Sequence, residues 1–138
     1  MMTLNDYQNI SAETAIYKDK DKLLYTALGL AGEAGEIANK VKKIIRDKDF
    51  TGNAVNSLDP EERYALIEEL GDVLWYVSAI AHDLGFSLSH VADINVGKLQ
   101  SRKERGVLQG SGDTREFHEL DYRSLPCTLW LEKLSKKI

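Results

Sequence analysis

The chain has 138 residues, 43% of them hydrophobic, a net charge of −4 and one cysteine, Cys127. This composition suits one compact domain, whereas the lack of a basic excess argues against binding to nucleic acid or an anionic membrane, and a lone cysteine excludes an internal disulfide and a Cys-rich zinc site. Because no stretch approaches the length of a membrane span and the N-terminus lacks the build of a signal peptide, we expect a cytoplasmic protein.

Apolar residues recur at intervals of three and four, and alternating β-branched runs are absent, which predicts an all-α protein. In chain order we expect helices at about residues 3–18, 20–46, 60–84 and 88–105. An apolar cluster near the C-terminus allows a short fifth helix. The predicted fold is therefore an antiparallel bundle of about four to five helices.

The ends of the last two long helices carry clear signals. Asp59 followed by Pro60 and Glu62 has the pattern of a capping box, and Gly85 is a typical helix stop. Gly106 ends the fourth helix and opens a turn-rich loop to residue 115. We expect a helical domain over residues 1–115 and a C-terminal tail over 116–138, which packs on the body or on a partner chain.

Two short motifs on different helices repeat each other. "EAGEI" at Glu33–Ile37 and "ELGDV" at Glu69–Val73 share the order acid, any residue, glycine, acid and β-branched apolar residue. On a helical wheel each acid pair lies at the same edge of its helix's apolar face. If the two helices pack antiparallel, the pairs converge on one rim of the interface. Glu68 points further from the apolar face, so Glu69 is the expected inward carboxylate.

One acid pair at this spacing is usually a solvated helix face. Two pairs at matched positions favour a site, because crowded carboxylates repel each other and a divalent cation offsets that repulsion. Oxygen ligands without His or Cys suit Mg²⁺, with Mn²⁺ as a substitute. Lys40 and Lys43 share the acid face of the second helix, and Lys40 is expected to pair with Glu36 one turn before it.

The fourth helix has a basic counterpart. Asn95, Lys98 and Arg102 follow at intervals of three and four, at the edge of the apolar face. Lysine and arginine one turn apart can bind an oligophosphate. The alternative is a solvated basic helix end that interacts favourably with the helix dipole.

These motifs together resemble those of the MazG-like nucleoside triphosphate pyrophosphohydrolases, which belong to the all-α NTP pyrophosphatase superfamily. The resemblance rests on Glu33-x-x-Glu36, Glu69-x-x-Asp72 and Asn95-x-x-Lys98-x-x-x-Arg102, and it covers about residues 20–115. The 32 residues between Glu36 and Glu69 exceed the spacing in compact members of the superfamily. Residues after Arg115 match no part of the pattern.

The resemblance implies Mg²⁺-dependent hydrolysis of a (deoxy)nucleoside triphosphate to the monophosphate and pyrophosphate, with clearance of non-standard nucleotides as one role, and a homodimer or homotetramer. The site residues it implies fall into three groups. The metal ligands are Glu33, Glu36, Glu69 and Asp72. One of two catalytic candidates, Glu36 or Glu69, would orient the attacking water as general base. The substrate-binding residues are Asn95, Lys98 and Arg102. Tyr76 lies on the acid face of the third helix and is expected to stack on the base, and its neighbour Trp75 is expected to pack at a subunit interface.

Two other functions stay open on the sequence alone. One is a non-catalytic helical module that keeps the scaffold for interaction or regulation. The other is a narrow-substrate pyrophosphatase acting on dUTP and dCTP or on phosphoribosyl-ATP. Neither reading involves a nucleic acid or a membrane partner.

Overall fold

A computed structural model describes residues 1–48 and 54–109. Within these residues the chain forms four α-helices and two short 3₁₀ helices, and no β-strand. The α-helices are α1 (Leu4–Ala12), α2 (Leu24–Asp47), α3 (Pro60–Asp83) and α4 (Leu88–Glu104). The predicted all-α class is confirmed. The proposed tail and the boundary at residue 115 lie outside the described residues and stay predictions.

α2 and α3 form an antiparallel hairpin, which polar contacts tie at both ends. At the start of α2, the backbone N–H of Leu23 and the hydroxyl of Thr26 donate to the carboxylate of Asp83, at the end of α3. At the end of α2, Lys48 pairs with Glu62 in the first turn of α3. The beginning of each helix therefore lies beside the end of the other, which is the arrangement that brings the two acid motifs together.

The ends of α3 follow the sequence signals. Asp59 Oδ1 accepts from the N–H of Glu62 at 2.9 Å, and Glu62 Oε2 accepts from the N–H of Asp59 at 3.0 Å. This capping box satisfies two backbone donors that have no partner within the helix. At the other end Gly85 adopts φ 77, a conformation that glycine reaches without steric cost, and the chain turns into α4.

The beginning of the chain differs from the prediction. α1 ends at Ala12 rather than near residue 18, and residues 13–23 connect it to α2 through a 3₁₀ turn at Asp19–Asp21. Leu23 has φ 60, and the N–H of Leu24 bonds to the carbonyl of Lys22. At the end of this segment the Leu23 N–H donates to Asp83 in a tertiary hydrogen bond, just before α2 begins.

A buried amide joins α1 to the turn between α3 and α4. Gln8 is 6% exposed. Its Nε2 donates to the carbonyls of Ser78 (3.4 Å) and Phe86 (3.0 Å), and its Oε1 accepts from the N–H of Leu88 at 3.0 Å. Both donors and the acceptor of the amide are thus satisfied inside the protein, so Gln8 has a structural role.

The chain divides into two units, Met1–Ile94 and a second that begins at Asn95. The described part of the second unit consists of the C-terminal half of α4 and the turn after it. That turn contains Gly106 at φ 67, and the N–H of Val107 bonds back to the carbonyl of Arg102. In the described parts of the chain, the helices are all too short or too polar to cross a membrane.

Candidate metal and nucleotide site

Three carboxylates from the two acid motifs meet at the α2–α3 interface. Glu33 on α2 and Glu69 and Asp72 on α3 each contribute one oxygen, and these oxygens all lie within 4.8 Å of one another. Glu33 and Glu69 are half-buried, whereas Asp72 is exposed. The convergence follows from the antiparallel packing, which places the middle of each helix beside the middle of the other.

Acids that are close in sequence differ in solvent exposure. The side chain of Glu69 is 17% exposed, whereas Glu68 lies in solvent. The preference for Glu69 as the inward carboxylate is therefore confirmed. Glu36 is exposed and lies outside the group of three. Its roles as metal ligand and catalytic acid stay predictions.

A lysine crosses the interface to this group. Lys40 Nζ on α2 lies 3.2 Å from Oε1 of Glu69 on α3. The predicted pairing of Lys40 with Glu36 is wrong, because the antiparallel neighbour offers a half-buried carboxylate that is better shielded from water than exposed Glu36. Pairs of this kind are stronger than exposed pairs within one helix, since water screens them less.

The donor set fits a hard divalent cation. The group consists of three carboxylates and contains no His or Cys, so it offers only oxygen ligands. Oxygen is the ligand type that Mg²⁺ and Mn²⁺ prefer. One cationic group, the ammonium of Lys40, already lies against the cluster. The residues present are thus compatible with a metal ion, which Glu33, Glu69 and Asp72 would hold.

An open pocket of about 330 Å³ lies beside the cluster. Its walls come from both acid motifs and from two aromatic residues of α3, and Thr14 closes it from the segment after α1. The lining residues are Thr14, Glu33, Asp72, Trp75 and Tyr76. The pocket therefore combines carboxylates with aromatic surface, a combination that suits a metal-bound nucleotide.

The aromatic wall is part of a larger cluster. Trp75 and Tyr76 meet edge to face, with ring centroids 4.9 Å apart and an interplanar angle of 82°. Tyr25 contacts Tyr76 at 6.4 Å and stacks on Tyr17 at 5.3 Å. The indole N–H of Trp75 donates to Thr14 Oγ1 at 2.8 Å. These contacts position both rings at the wall of the pocket.

The surroundings of Tyr76, including two nearby carboxylates, raise the pKa of its hydroxyl. Burial raises the pKa of its hydroxyl above the ordinary value of 10.0, and a hydrogen bond with Tyr25 and the charges of Glu33 and Asp72 raise it further. Tyr7 on α1 behaves similarly, because burial and then the charge of Asp72 raise its pKa. Both phenols are therefore neutral at physiological pH.

A second pocket, of about 200 Å³, lies between α1, residues 15–22 and α3, with Trp75 again in its wall. Its polar groups mostly bond to one another. Ser11 and Ser78 share a hydroxyl contact at 3.2 Å, and Tyr17 donates to Asp83 at 2.9 Å. These internal bonds favour a structural interpretation of this pocket.

Sequence reasoning placed Tyr76 on the acid face but missed Thr14 and assigned Trp75 to a subunit interface. A signal for Trp75 was present, since it follows Asp72 by three residues and so shares a helix face with it. No signal marked Thr14, because the break after Ala12 brings it to the pocket and the apolar pattern had predicted a helix there.

The predicted phosphate-binding residues all lie on α4 in the second unit. Asn95 is exposed, and Lys98 and Arg102 are half-buried. Their spacing places them along one side of that helix. Their role in binding stays a prediction.

Comparison with known proteins agrees with this geometry. Residues 21–107 match the MazG nucleotide pyrophosphohydrolase domain, which is more than half of the chain. The chain belongs to the MazG family. This membership confirms the resemblance seen in the motifs, and it associates the chain with nucleotide pyrophosphohydrolase activity in general.

Two relatives are similar over most of this MazG-family chain. The gene 37 protein of Mycobacterium phage L5 is 52% identical over 120 residues, which cover 83% of this chain and all of the phage protein. Mouse dCTP pyrophosphatase 1 is 31% identical over 106 residues, which cover 75% of this chain and 58% of the mouse protein.

Proposed function

We propose that this protein hydrolyses nucleoside triphosphates, deoxynucleotides included, between the α and β phosphates and releases a nucleoside monophosphate and pyrophosphate. The observation that carries this proposal is the group of three carboxylates from Glu33, Glu69 and Asp72, within 4.8 Å of one another and beside an aromatic pocket. Family membership supports the type of reaction.

The acids have two roles in this proposal. Glu33, Glu69 and Asp72 hold Mg²⁺, or Mn²⁺ in its place, and the ion supplies charge that offsets the phosphates. Glu36, which is exposed and lies outside the group of three, is proposed as the general base that accepts a proton from the attacking water. Glu69, the other predicted catalytic acid, acts through the cluster, because its carboxylate is part of that group and is paired with Lys40.

The substrate itself would contact two other groups of residues. Tyr76, which lines the pocket beside the cluster, is proposed to stack on the base, and Trp75 lies at a right angle to it. Asn95, Lys98 and Arg102 are proposed to bind the phosphates, on the strength of their spacing on α4 and the family match that includes them. Arginine and lysine would stabilise negative charge on the departing pyrophosphate.

The similarity to mouse dCTP pyrophosphatase 1 makes dCTP the first nucleotide to test. A pocket lined by aromatic rings accepts any base by stacking, so the choice of base depends on polar contacts at the ring edge. Clearance of a non-standard nucleotide and control of a normal pool both remain compatible with this geometry. A panel of canonical and modified triphosphates distinguishes them.

We also propose that the protein is a homodimer or a dimer of dimers. α2 exposes apolar residues on one face over its first four turns, and they are Leu24, Leu28, Ala31, Gly35 and Ala38. On α3 an apolar stripe at intervals of three and four, Ile67, Leu70 and Leu74, is exposed as well. Exposed apolar surface of this extent on adjacent helices is typical of a protein interface.

Purified protein incubated with each dNTP and Mg²⁺ tests the proposed reaction. The expected products are the monophosphate and pyrophosphate in equal amounts, resolved by anion exchange. Orthophosphate as the first product would show that another bond is cut. No turnover of any nucleotide at enzyme concentrations near that of the substrate would favour a non-catalytic module instead.

A matched pair of variants tests the site. Glu69→Gln removes one charge from the cluster and is expected to lower kcat by at least about a hundredfold. Glu68→Gln makes the same change on the adjacent, exposed residue and is expected to leave kcat within about twofold of wild type. Equal activity in both variants would contradict the assignment of the carboxylate group.

A further inference from the structure

Lys40 pairs with one member of the carboxylate group. Its Nζ lies 3.2 Å from Glu69 Oε1, and Glu69 also belongs to the group of three carboxylates. The contact joins two helices and draws together residues that are 29 positions apart in sequence. The side chain of Lys40 is 34% exposed, so its ammonium can reach water if it leaves Glu69.

Charge explains why a lysine is stable here. Three carboxylates within 4.8 Å repel one another when no cation is bound, and the ammonium offsets part of that repulsion. A divalent ion held by the same carboxylates would in turn lie close to Nζ. Two cations at such a distance repel strongly in a partly buried site, where water screens them less.

We propose that Lys40 is an internal counterion of Glu69 that a divalent cation must displace in order to bind. The inference rests on the proposed metal site and adds a competing group that belongs to the chain itself. In the metal-free protein the lysine holds Glu69 and lowers the charge of the cluster from −3 to −2. When the ion binds, the Lys40–Glu69 pair breaks and the flexible lysine turns toward solvent.

This competition would set the affinity of the site. A cluster that carries its own counterion binds metal more weakly than the same carboxylates alone, because binding includes the loss of an ion pair. The site therefore stays without metal at low concentrations of the ion. It fills more readily when the ion arrives with the negative charge of a triphosphate, which offsets the displaced lysine.

Binding of Mn²⁺ to metal-free protein tests the proposal without any catalytic step. The free ion is followed by electron paramagnetic resonance at constant ionic strength, and no nucleotide is present. Lys40→Met keeps the aliphatic length and removes the charge, and it is expected to tighten Mn²⁺ binding about tenfold. Lys40→Arg keeps the charge and is expected to bind Mn²⁺ within about twofold of wild type.

Lys43→Met is the matched control. Lys43 lies three residues further along α2, is exposed, and makes no ion pair within residues 1–48 and 54–109. The Lys43→Met variant removes the same charge from the same helix, so it measures only the long-range electrostatic effect on Mn²⁺ binding. Its Mn²⁺ affinity is expected to change by less than about twofold.

Thermal denaturation gives a second readout. Lys40→Met is expected to melt at a lower temperature than wild type without metal, because the carboxylates lose their counterion. With saturating Mn²⁺ the difference should become smaller, because in the metal-bound protein Lys40 no longer contacts Glu69. A residue with only a structural role would lower the melting temperature equally in both conditions.

Glu69→Gln separates the two proposals. If this variant binds Mn²⁺ as wild type does, the metal site is wrong and the role of Lys40 is overturned with it. If Glu69→Gln weakens binding while Lys40→Met leaves it unchanged or weaker, the metal site stands and the competition alone is overturned. Tighter binding in Lys40→Met, with weaker binding in Glu69→Gln, supports both.

Discussion

The aromatic ring of Tyr76 lies against the backbone of Gly29, in the space that a β-carbon on residue 29 would occupy. The glycine therefore serves the packing of α2 on α3 at the wall of the candidate pocket. Glycine lowers helix stability by about 1 kcal/mol relative to alanine. Packing of the Tyr76 ring against Gly29 offsets this loss.

Substitution of Gly29 should consequently disturb the pocket. Gly29→Ala forces the Tyr76 ring outward, and we expect it to lower stability by about 1–3 kcal/mol relative to an alanine substitution in open space on the same helix. If Tyr76 stacks on the base, KM should rise about tenfold while kcat changes less. Chemical denaturation and steady-state kinetics with the best nucleotide measure the two effects.

Gly32→Ala is the control for that substitution. A β-carbon at Gly32 meets nothing within 4 Å, so alanine there should gain up to about 1 kcal/mol of helix propensity and leave KM unchanged. Similar stability and KM in the two variants would contradict the role assigned to the contact between Gly29 and Tyr76.

The pair formed by Tyr17 and Asp83 predicts a dependence on alkaline pH. Burial and then the hydrogen bond to Asp83 raise the pKa of Tyr17 from 10.0 to about 12. The folded protein thus holds the phenol proton more strongly than the unfolded chain does. Stability from this pair is fully present below pH 10 and is lost as pH rises through about 12.

Urea denaturation of wild type and Tyr17→Phe across pH 8 to 12 measures this effect. Below pH 10 we expect the variant to be less stable by about 1 kcal/mol, since it lacks the hydrogen bond to Asp83. The difference should shrink above pH 10, because only wild type has the phenol to lose. A constant difference across the range would contradict the linkage.

The buried amide of Gln8 allows a prediction about stability alone. Gln8→Leu leaves the carbonyl of Phe86 and the N–H of Leu88 without their partner, and each unsatisfied group costs about 1–3 kcal/mol, while the Ser78 carbonyl loses an additional bond. We expect a total loss of about 3 kcal/mol or more in chemical denaturation. Asn9→Leu, at the exposed neighbour, should change stability by less than about 0.5 kcal/mol. Equal stability of the two variants would show that the amide is not a structural link.

Most of the fold was predictable because local signals agree with the tertiary structure. The bounds of α3 follow from Asp59, Pro60 and Gly85, and those of α4 from Gly106, since caps and glycine stops act within one turn. The apolar pattern also gave the inward direction of Glu69.

The errors share one physical cause, which is contact between residues distant in sequence. The chain just before α2 bonds through Leu23 to Asp83, more than 50 positions away, and no local pattern reports that contact. The pairing of Lys40 with Glu69 rather than Glu36 likewise depends on the position of a neighbouring helix. Thr14 lines the pocket and belongs to the same non-helical segment, which the apolar pattern did not predict.

The exposed apolar faces of α2 and α3 lead to a prediction about assembly. Leu28 is 66% exposed and Ile67 is 62% exposed, which is unusual for large apolar residues on adjacent helices. If these faces join two copies, a carboxylate in the interface would be buried without a partner, at a cost of several kcal/mol. Leu28→Glu and Ile67→Glu should therefore convert the dimer, or the tetramer, to monomers, as measured by light scattering coupled to size exclusion.

Ile16→Glu is the control for the assembly prediction. Ile16 is 95% exposed but lies in the segment between α1 and α2, so it belongs to neither apolar face. It introduces the same charge at an exposed apolar position and should leave the mass unchanged. Wild type that runs as a monomer at high protein concentration would contradict the proposed assembly. A mass unaltered by either Leu28→Glu or Ile67→Glu would place the interface on another surface.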